Sequence, residues 1–553
     1  MSGPAMRWFG WGAEGSSTIE LPAGAERLLR GELGVVERRV APVALEDARL
    51  PEPALGTDVR ERLVAAVGEE NLLEDRLTRV SRAAGRSYPD LVRLRAGDAS
   101  GAPDAVVRPG SAAEVAEVLA VCADAGVAVV PFGGGTSVVG GVEALRGEFP
   151  AAITLDLARM DALSGLDRTS QLATFEPGIS GPRAEKLLAS RGYTLGHFPQ
   201  SHEFATIGGY VATRSAGQAS TGYGRIDELV RGVRLVAPAG ELVVKPFPAS
   251  AAGPELRELI VGSEGALGVI TEATLSVRPL PAVRRYEGWS FRSFEAGCDA
   301  FRTIEQAEHG PDVARLSDEN ETRLSMAVAS SGSTAERAGK AYLRLRGHEG
   351  GCIVIVGFEG EERDAALRCA FTRERLKEAG GLALGERPGN AWLRGRYAGP
   401  YLRDALLDRG VMVETLETAT TWTRLAELYA AVADALREAL GARGTPPLVM
   451  CHVSHLYRSG ASLYFTFIAA QEQGAELDQW RAAKTAASDA IVAHGGTITH
   501  HHAVGRDHAP WLRAELGDLG VDVLRAAKER LDPRGIMNPG KLLPPAQAGS
   551  DPT

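Results

Sequence analysis

The spacing of apolar residues along this chain predicts a mixture of helices and strands. Apolar residues recur at helical intervals in the segments 113–125, 181–191, 424–440 and 520–530. Short apolar or alternating runs predict strands at 127–132, 152–157, 352–358 and 462–469, and a hairpin at 230–237 and 242–245. Helices and strands are interspersed, which is the pattern of the α+β fold class.

The length of 553 residues is too great for one hydrophobic core, so the chain should hold more than one domain. We predict an N-terminal helical arm at 1–90, with helical spacing at 59–80, and an α+β domain at 91–283. A second α+β domain is predicted at 284–499, where longer strands and helices begin. A C-terminal segment, 500–553, contains a further helix and a short tail.

Composition is that of an ordinary globular protein and disfavours some partners. Hydrophobic residues make up 44% and charged residues 24% of the chain. The net charge of −10 argues against nucleic acid, whose phosphates select basic surfaces. The five cysteines are scattered without a C-x-x-C pair, which indicates reduced thiols. No apolar run reaches the roughly 18 to 20 residues of a membrane span, and residues 1–8 lack the apolar core of a secretion signal. We therefore expect a cytoplasmic protein.

Three segments rich in glycine and small residues flank predicted strands. Glycine lets several backbone N–H groups approach one anion, so each segment suits a phosphate or pyrophosphate. Three separated loops can line a dinucleotide cofactor. The chain lacks both the G-K-[ST] of a P-loop and a G-x-G-x-x-G that opens a helix, which disfavours kinases and nicotinamide Rossmann enzymes. The segments are Pro131-Phe132-Gly133-Gly134-Gly135-Thr136-Ser137-Val138, then 199–213, and then 262–273.

The run His500-His501-His502 is a further chemical signal. On a strand, three consecutive side chains would point in different directions, so we expect them not to share a metal ion and predict no metal site. Imidazole titrates near neutral pH, which suits acid–base chemistry or the binding of an anionic substrate.

These motifs resemble those of the vanillyl-alcohol-oxidase-type flavoproteins, which carry a Gly-Gly-Gly-Thr-Ser loop and a later Gly-Ser-Glu-Gly-x-Leu-Gly-Val-Ile-Thr motif. Within that superfamily the chain is most similar to the alkyldihydroxyacetone-phosphate synthases, flavoenzymes that form the ether bond of ether lipids. The FAD loops are common to the superfamily, whereas the triple histidine, the segment around Arg403 and the pair Glu417-Thr418 are more discriminating. The matching segments extend over most of the chain and include 131–138, 176–181, 196–201, 208–209, 315–318, 401–404, 414–418 and 500–502.

The resemblance implies a fold and a cofactor. It implies a two-subdomain FAD-binding domain at 91–283, a cap or substrate domain at 284–499, and a C-terminal segment that completes the active site and the FAD domain. FAD would be non-covalent, because Thr136 stands where covalently flavinylated relatives have a histidine. The cofactor-binding residues so implied are Pro131, Gly133, Gly134, Gly135, Thr136, Ser137, Val138, Pro199, Ser201, Thr206, Gly208, Gly209, Thr213, Glu264, Gly268 and Ile270.

The resemblance also implies a reaction. In these synthases a flavin N5 adduct to the dihydroxyacetone-phosphate carbon replaces the fatty-acid ester, and a fatty alcohol then displaces the flavin without net redox change. Proton removal beside a ketone needs a base poised near neutral pH, and a guanidinium suits an anionic head group. The catalytic residues so implied are Tyr464, His500, His501 and His502, and the substrate-binding residues are Arg403 and Arg315.

Further expectations concern partners. We expect a lipid substrate, a tunnel for it in the second domain, a homodimer and peripheral contact with the inner face of the membrane. Candidates for that contact are the pairs Trp8 and Trp11, and Trp392 and Tyr397, with arginines nearby. The alternative that stays open is that these aromatic residues pack inside the protein.

Two other functions stay open at this point. An FAD-linked dehydrogenase or oxidase of a 2-hydroxy acid such as lactate or glycolate would share the FAD domain. Those enzymes carry a Glu-His-Gly-Ile-Gly segment where this chain has 500–505. A flavin-binding protein that has lost catalysis would have lost the histidine cluster or Arg403, and both are present.

Overall fold

The structure is a computed structural model. Its N-terminal region is helical, but the helices are short and separated by other segments. The structure describes residues 6–16, 20–21, 23–35, 40–328 and 333–544. The helical spacing at 59–80 is realised as two helices, because Gly68 takes a φ of 89° and ends the first of them. The helices of this region are α1 (Ala23–Leu33), α2 (Thr57–Val67), α3 (Arg76–Ser81) and α4 (Tyr88–Arg95).

The first sheet has the strand order β1-β2-β4-β3. Its strands are β1 (Leu72–Leu73), β2 (Ala105–Val107), β3 (Val127–Phe132) and β4 (Ala151–Asp156). Strands β2, β4 and β3 run parallel, and helix α5 (Ala112–Ala125) makes the crossover from β2 to β3. The side chain of Ser111 caps α5, and Gly126 ends it with a φ of 66°. The first glycine loop therefore begins at the carboxyl end of β3.

The second sheet is antiparallel, with the order β5-β6-β10-β8-β9. The hairpin predicted at 230–237 and 242–245 corresponds to β8 and β9 and is confirmed. The strands are β5 (Leu163–Asp167), β6 (Leu172–Phe175), β8 (Val230–Ala237), β9 (Gly240–Val244) and β10 (Val269–Ser276), with β7 (Tyr193–Thr194) and β11 (Arg278–Pro279) paired beside them. The helices are α6 (Gly181–Ala189), α7 (Ile207–Ala212), α8 (Ser220–Tyr223), α9 (Ile226–Leu229) and α10 (Arg257–Ile260).

A third, larger antiparallel sheet, here called the cap sheet, has the order β15-β12-β14-β13-β17-β19-β16, with β18 paired to β19. Its strands are β12 (Val283–Phe291), β13 (Val313–Ser317), β14 (Cys352–Gly360), β15 (Leu382–Gly385), β16 (Val411–Thr421), β17 (Leu448–Val453), β18 (Leu456–Tyr457) and β19 (Gly460–Ala470). Its helices are α11 (Phe294–Gln306), α12 (Glu319–Val328), α13 (Thr334–Leu345), α14 (Glu362–Glu378), α15 (Glu386–Gly395), α16 (Gly399–Leu407), α17 (Leu425–Gly441) and α18 (Glu476–Ala493).

One face of the cap sheet packs against helices and the other carries polar residues. In β19, Leu463, Phe465 and Phe467 are fully buried in an apolar core together with residues of α17 and α18. Because successive side chains of a strand point to opposite faces, Tyr464 lies on the other face. The alternation of side chains in β19 therefore decides which face of the cap sheet carries the polar residues.

The C-terminal segment returns to the first sheet. Helix α19 (Leu512–Leu531) breaks at Gly517, and the chain then runs beside β3. Val129 donates its N–H to the Ile536 carbonyl and accepts from the Asn538 N–H, at 2.8 Å each. The last part of the described chain thus extends the sheet from which the first glycine loop leaves.

The aromatic residues considered for membrane contact are mostly packed inside. Trp8 and Trp11 are 4% and 3% exposed, so they are not a surface anchor and the packing alternative holds for them. Trp392 packs against Tyr286, and Tyr397 stacks on His202. Among the described residues, no helix is long and apolar enough to cross a membrane. The mixed sheets and helices confirm the α+β class.

Candidate active site

The polar face of the cap sheet centres on Tyr464. His452 of β17 and Glu417 of β16 both lie directly opposite Tyr464 of β19 in the antiparallel ladders. Residues opposite each other share a face of the sheet. The ring of His452 stacks on that of Tyr464 with the centroids 4.7 Å apart. Strand register therefore places Tyr464 between an imidazole and a buried carboxylate.

The three consecutive histidines lie in a turn wrapped around Glu417, so the expectation that they lie on a strand is wrong. The Glu417 carboxylate accepts hydrogen bonds from the Thr499 hydroxyl at 2.6 Å and from the N–H groups of His500, His501 and His502 at 2.5, 3.0 and 2.7 Å. Because these donors converge on one carboxylate, the imidazoles are gathered instead of alternating. We call residues 499–503 the histidine turn.

The imidazoles of the histidine turn meet the tyrosine. The ring of His501 stacks on Tyr464 with centroids 5.8 Å apart, and that of His502 meets it edge-on at 5.4 Å. His500 points to a second tyrosine, with its Nε2 2.5 Å from the Tyr457 hydroxyl and its Nδ1 2.9 Å from the Nδ1 of His501. The structure thus brings the four residues predicted to be catalytic into one contact network.

Sequence reasoning missed two residues of this network. Glu417 was noticed only within a matching segment, and nothing in the segment shows that its carboxylate organises a distant turn. His455, which follows β17, stacks on His500 with centroids 5.0 Å apart and meets His501 at 5.4 Å. It is 4% exposed, and its Nδ1 has no hydrogen-bond partner in the described part of the chain. In the sequence His455 stands out only as a departure from the family pattern near Tyr464, and its contacts with the histidine turn arise from tertiary folding.

Burial decides the protonation of the site. Burial lowers the pKa of His500, His501 and His502, and this effect exceeds the opposite effect of the Glu417 charge. The pKa of His502 falls to about 3. Burial opposes the charge of Glu417 itself, but the adjacent imidazoles and the Thr499 hydroxyl hold its pKa well below the ordinary value. At neutral pH the network holds an ionised carboxylate and neutral imidazoles.

Tyr464 keeps its proton. Burial raises its pKa to about 12, although a hydrogen bond to Thr415 opposes the rise. A neutral phenol beside neutral imidazoles can donate a hydrogen bond to a ketone or carboxylate while an imidazole accepts a proton. The site is therefore suited to acid–base chemistry.

Arg315 joins this network, on the side of His452. One guanidinium nitrogen lies 2.9 Å from Glu321 and 3.1 Å from the Nδ1 of His452. Burial would raise the pKa of Glu321, but His452 and Arg315 lower it below its ordinary value. The charge of Arg315 is thus compensated inside the protein, and its direct contact is with the histidine that stacks on Tyr464.

Arg403 lies apart from the histidine turn. It is on α16, where one guanidinium nitrogen donates to the Arg86 carbonyl at 2.6 Å. The neighbouring Asp404 accepts from the backbone N–H of Trp11, so this helix contacts the N-terminal arm. Within the described residues, no hydrogen bond or ion pair joins Arg403 to the histidines, and its buried Nε has no partner there.

The predicted cofactor residues fall in three loops that pack on one another. A Cβ on Gly133 would overlap the Thr206 hydroxyl, and one on Gly134 would overlap the Phe204 carbonyl, so only glycine allows this approach. The first loop (Pro131, Gly133, Gly134, Gly135, Thr136, Ser137, Val138) follows β3, the second (Pro199, Ser201, Thr206, Gly208, Gly209, Thr213) runs through α7, and the third (Glu264, Gly268, Ile270) leads into β10.

The first loop has the donors that an anion needs. Across the described chain, the backbone N–H groups of Gly134, Gly135 and Thr136 donate to no protein group. Successive unpaired N–H groups on a glycine turn favour an anionic guest such as the pyrophosphate of FAD. The residues present therefore fit the cofactor, and the first loop would hold its phosphates.

Glu264, predicted to bind the cofactor, also contacts the segment that follows the histidine turn. Its carboxylate accepts hydrogen bonds from the N–H groups of Val504 and Gly505 at 2.8 and 2.7 Å. Burial raises its pKa to about 7, and these two bonds oppose the rise. The side chain of Glu264 thus ties the third FAD loop to the residues that follow the histidine turn.

FAD is expected to leave the protein on denaturation. Thr136 offers no imidazole for a covalent link to the flavin, so the cofactor should be held by contacts alone. Acid precipitation of the yellow protein should release the flavin into the supernatant, as measured by absorbance and mass spectrometry. Flavin that stays with the precipitate, or a flavin-modified peptide in a digest, would contradict this.

A buried lysine supports the far end of the histidine turn. The Nδ1 of His508 donates to the Ala503 carbonyl at 2.8 Å, so its Nε2 accepts from the Lys484 ammonium at 2.5 Å. Ala503, directly after His502, has a φ of 77°, which a non-glycine residue rarely adopts. Lys484 and His508 therefore stabilise the unusual backbone that ends the turn.

Replacing His508 by leucine should lower the free energy of unfolding by about 2–3 kcal/mol, because the buried Lys484 loses its hydrogen-bond acceptor. The double variant Lys484→Met, His508→Leu also removes the buried ammonium of Lys484, so it should recover part of the lost free energy of unfolding. Thermal denaturation of the FAD-loaded proteins compares the two. A double variant no more stable than His508→Leu would show that the pair is not the cause.

Comparison with known proteins defines the class first. Residues 103–244 match the family described as FAD binding domain, and residues 280–542 match the C-terminal domain of FAD linked oxidases. The solved structure of p-cresol methylhydroxylase shares the fold, with a TM-score of 0.65 at 16% identity over 88% of this chain and 96% of that one. The protein is an FAD-binding flavoprotein.

The family follows from closer relatives. The alkyldihydroxyacetonephosphate synthase of Trypanosoma brucei brucei is 35% identical over 90% of this chain and 82% of its own length. A solved alkyldihydroxyacetonephosphate synthase superposes with a TM-score of 0.84 at 30% identity, covering 97% of this chain and 99% of that one. The chain belongs to the alkyldihydroxyacetonephosphate synthase family and is an FAD-dependent enzyme. The resemblance inferred from its motifs is confirmed, and the interpretation as a flavoprotein without catalysis is set aside.

Proposed function

We propose that this enzyme exchanges the acyl ester of acyl-dihydroxyacetone phosphate for the ether of a fatty alcohol, without net redox change. The observation that carries the proposal is the contact of the neutral imidazole of His501 with the protonated hydroxyl-bearing ring of Tyr464. Glu264, in the third FAD loop, bonds the backbone directly after the histidine turn and so places this contact beside the cofactor loops. Family membership supports the choice of substrates, since the relatives named above are alkyldihydroxyacetonephosphate synthases.

His501 is the residue best placed to act as the base. Its Nδ1 lies 3.4 Å from the Glu417 carboxylate and 2.9 Å from the Nδ1 of His500. A carboxylate can only accept, so His501 carries its proton on the Nδ1 that faces Glu417 and keeps a lone pair on Nε2. That nitrogen can take the proton from the carbon beside the ketone, and Glu417 stabilises the imidazolium formed.

Tyr464 supplies the complementary proton. Its neutral hydroxyl can donate to the ketone or to the departing carboxylate, while FAD, when bound, supplies the electrophile of the exchange. The bond that breaks joins carbon to the ester oxygen, and the bond that forms joins the same carbon to the alcohol oxygen. The alcohol releases a proton as the ether forms, so the base must accept one and later return it.

Arg403 is the better candidate for the phosphate of the substrate. Its buried Nε has no protein partner among the described residues, and its ion pair with Asp404 is longer, at 3.5 Å, than the 2.9 Å pair of Arg315 with Glu321. Arg403→Ala should raise the KM for acyl-dihydroxyacetone phosphate about 10- to 100-fold, the value of a hydrogen bond between charged groups, and leave FAD bound. Steady-state kinetics measures this, with Arg409→Ala, whose partner is Glu26, as control. An unchanged KM would show that Arg403 does not bind the phosphate of the substrate.

The competing chemistry is oxidation of a 2-hydroxy acid. We expect that anaerobic addition of lactate or glycolate to the purified protein leaves the flavin spectrum oxidised, because the segment after residue 499 differs from that of such dehydrogenases. Rapid bleaching of the flavin by either acid would overturn the proposed function. The release of free fatty acid from acyl-dihydroxyacetone phosphate with the flavin still oxidised would support it.

Assembly and location belong to the same proposal. We infer a lipid substrate that enters through a tunnel in the second domain, a homodimer, and peripheral contact of a cytoplasmic enzyme with the inner face of the membrane. Trp8 and Trp11 are buried and cannot make that contact. Sedimentation equilibrium tests the dimer, and flotation with phospholipid vesicles tests membrane binding.

A further inference from the structure

Three imidazoles from two parts of the chain converge in the active site. One ring nitrogen each of His455, His500 and His501 lies within 4.8 Å of the other two. The Nδ1 atoms of His500 and His501 are 2.9 Å apart. A tetrahedral ion with metal–nitrogen bonds of about 2.0–2.1 Å places its ligand atoms about 3.4 Å apart. The two Nδ1 atoms are therefore already near this spacing, and His455 offers a third nitrogen in the same cluster.

The chemistry of these nitrogens favours a cation. His455 is 4% exposed and its Nδ1 has no partner among the described residues, so this buried polar nitrogen lacks the contact that a bound ion would supply. Neutral imidazole nitrogens are among the preferred ligands of Zn²⁺. The ionised Glu417 lies 3.4 Å from the Nδ1 of His501 and supplies negative charge. The nearby cation Arg225 is paired with Asp227 at 3.1 Å.

We propose that His455, His500 and His501 form a binding site for a divalent transition-metal ion such as Zn²⁺, and that the bound ion inhibits the enzyme. The earlier expectation of no metal site assumed that three consecutive histidines on a strand point apart. The histidine turn removes that objection, and His455 adds a ligand from the segment after β17.

The inhibitory effect follows from the tautomer of His501. An ion bound at its Nδ1 leaves the ring proton on Nε2, so the lone pair that would accept the substrate proton is lost. This consequence rests on the proposed function, whereas the binding of the ion does not.

Calorimetric titration of the metal-free, FAD-loaded enzyme with ZnCl₂ tests the site. We expect one ion per chain in the wild type and in the control His309→Gln, which changes an exposed histidine packed on Phe371. His455→Gln should weaken binding at least about 100-fold, beyond the effect of losing an outer-shell partner. Flavin absorbance checks that each variant is folded, and if His455→Gln loses FAD then His501→Asn takes its place.

Two results would overturn the metal site: no saturable binding of Zn²⁺ by the wild type, or equal affinity in the ligand variant. Ether formation in the presence of Zn²⁺ is a separate readout and should fall in step with occupancy. If Zn²⁺ binds as described but metal-free enzyme forms no ether, the proposed function fails and the metal site stands.

Discussion

Replacing Glu417 by glutamine should lower kcat for ether formation about 1000-fold while FAD stays bound. The Glu417 carboxylate accepts hydrogen bonds from the N–H groups of the histidine turn and from Thr499. Glutamine offers one acceptor oxygen and turns an NH₂ group toward those donors, so the turn loses its anchor. His501 also loses the charge that stabilises its protonated form. General base catalysis is worth about 10²- to 10⁴-fold, which sets the size of the effect.

Glu414→Gln is the matched control for this variant. Glu414 is a buried carboxylate on the same strand, but its partner is the indole N–H of Trp480 at 2.6 Å, on the opposite face of the sheet. Its replacement should cost far less activity. Single-turnover rates together with flavin absorbance measure both variants. Equal losses, or a Glu417→Gln enzyme with near-normal kcat, would show that the carboxylate does not organise catalysis.

Replacing Tyr464 by phenylalanine should lower kcat about 100-fold and change KM little. The substitution removes only the hydroxyl, so the ring can still stack on His452 and His501. The loss reflects a proton donor that acts on the departing group in the transition state. A rise in KM alone, with kcat preserved, would identify Tyr464 as a binding residue.

Tyr429→Phe provides the comparison. Its hydroxyl donates to Asp318 at 3.1 Å, and its ring stacks on Phe465, on the apolar side of the cap sheet. This variant removes the same atom from a half-buried tyrosine outside the histidine network, so its kcat should stay close to that of the wild type. Comparable losses in both variants would indicate a general effect on the sheet.

The pH dependence of the reaction should also differ from that of an ordinary histidine. Burial lowers the pKa of His501 below its ordinary value of 6.5. The neutral form that accepts the proton is therefore retained below that pH, and kcat/KM should fall only at lower pH, as His501 becomes protonated. A profile that falls at or above pH 6.5 would contradict the assignment of His501 as the base.

Local sequence patterns predicted the strands and the glycine-rich loops well. The strand at 127–132, the glycine loop after it and the hairpin of β8 and β9 appear where the apolar pattern and the turn residues place them. These features depend on periodicity and on backbone freedom at glycine, which adjacent residues determine. The motif resemblance then led from these loops to the right cofactor and family.

The organisation of the active site could not be predicted in the same way. The histidine turn takes its shape from Glu417, which is on another strand, and from Ala503, whose positive φ only the folded context imposes. His455 approaches the turn because β17 ends beside it. The role of Glu264 at the cofactor stays a prediction, and the bonds of its carboxylate to the backbone N–H groups of Val504 and Gly505 were not predicted. In each case the deciding contact is between distant parts of the chain.

The measurement that tests the central claim most directly is a product assay on the yellow protein. Acyl-dihydroxyacetone phosphate and an isotope-labelled fatty alcohol are mixed with the enzyme without oxygen, and the lipids are analysed by mass spectrometry. We predict one labelled ether lipid for each fatty acid released, with the flavin oxidised at the end. If protein with a full complement of FAD forms no labelled ether, or if the flavin ends reduced, the claim that it is an ether-forming synthase is contradicted.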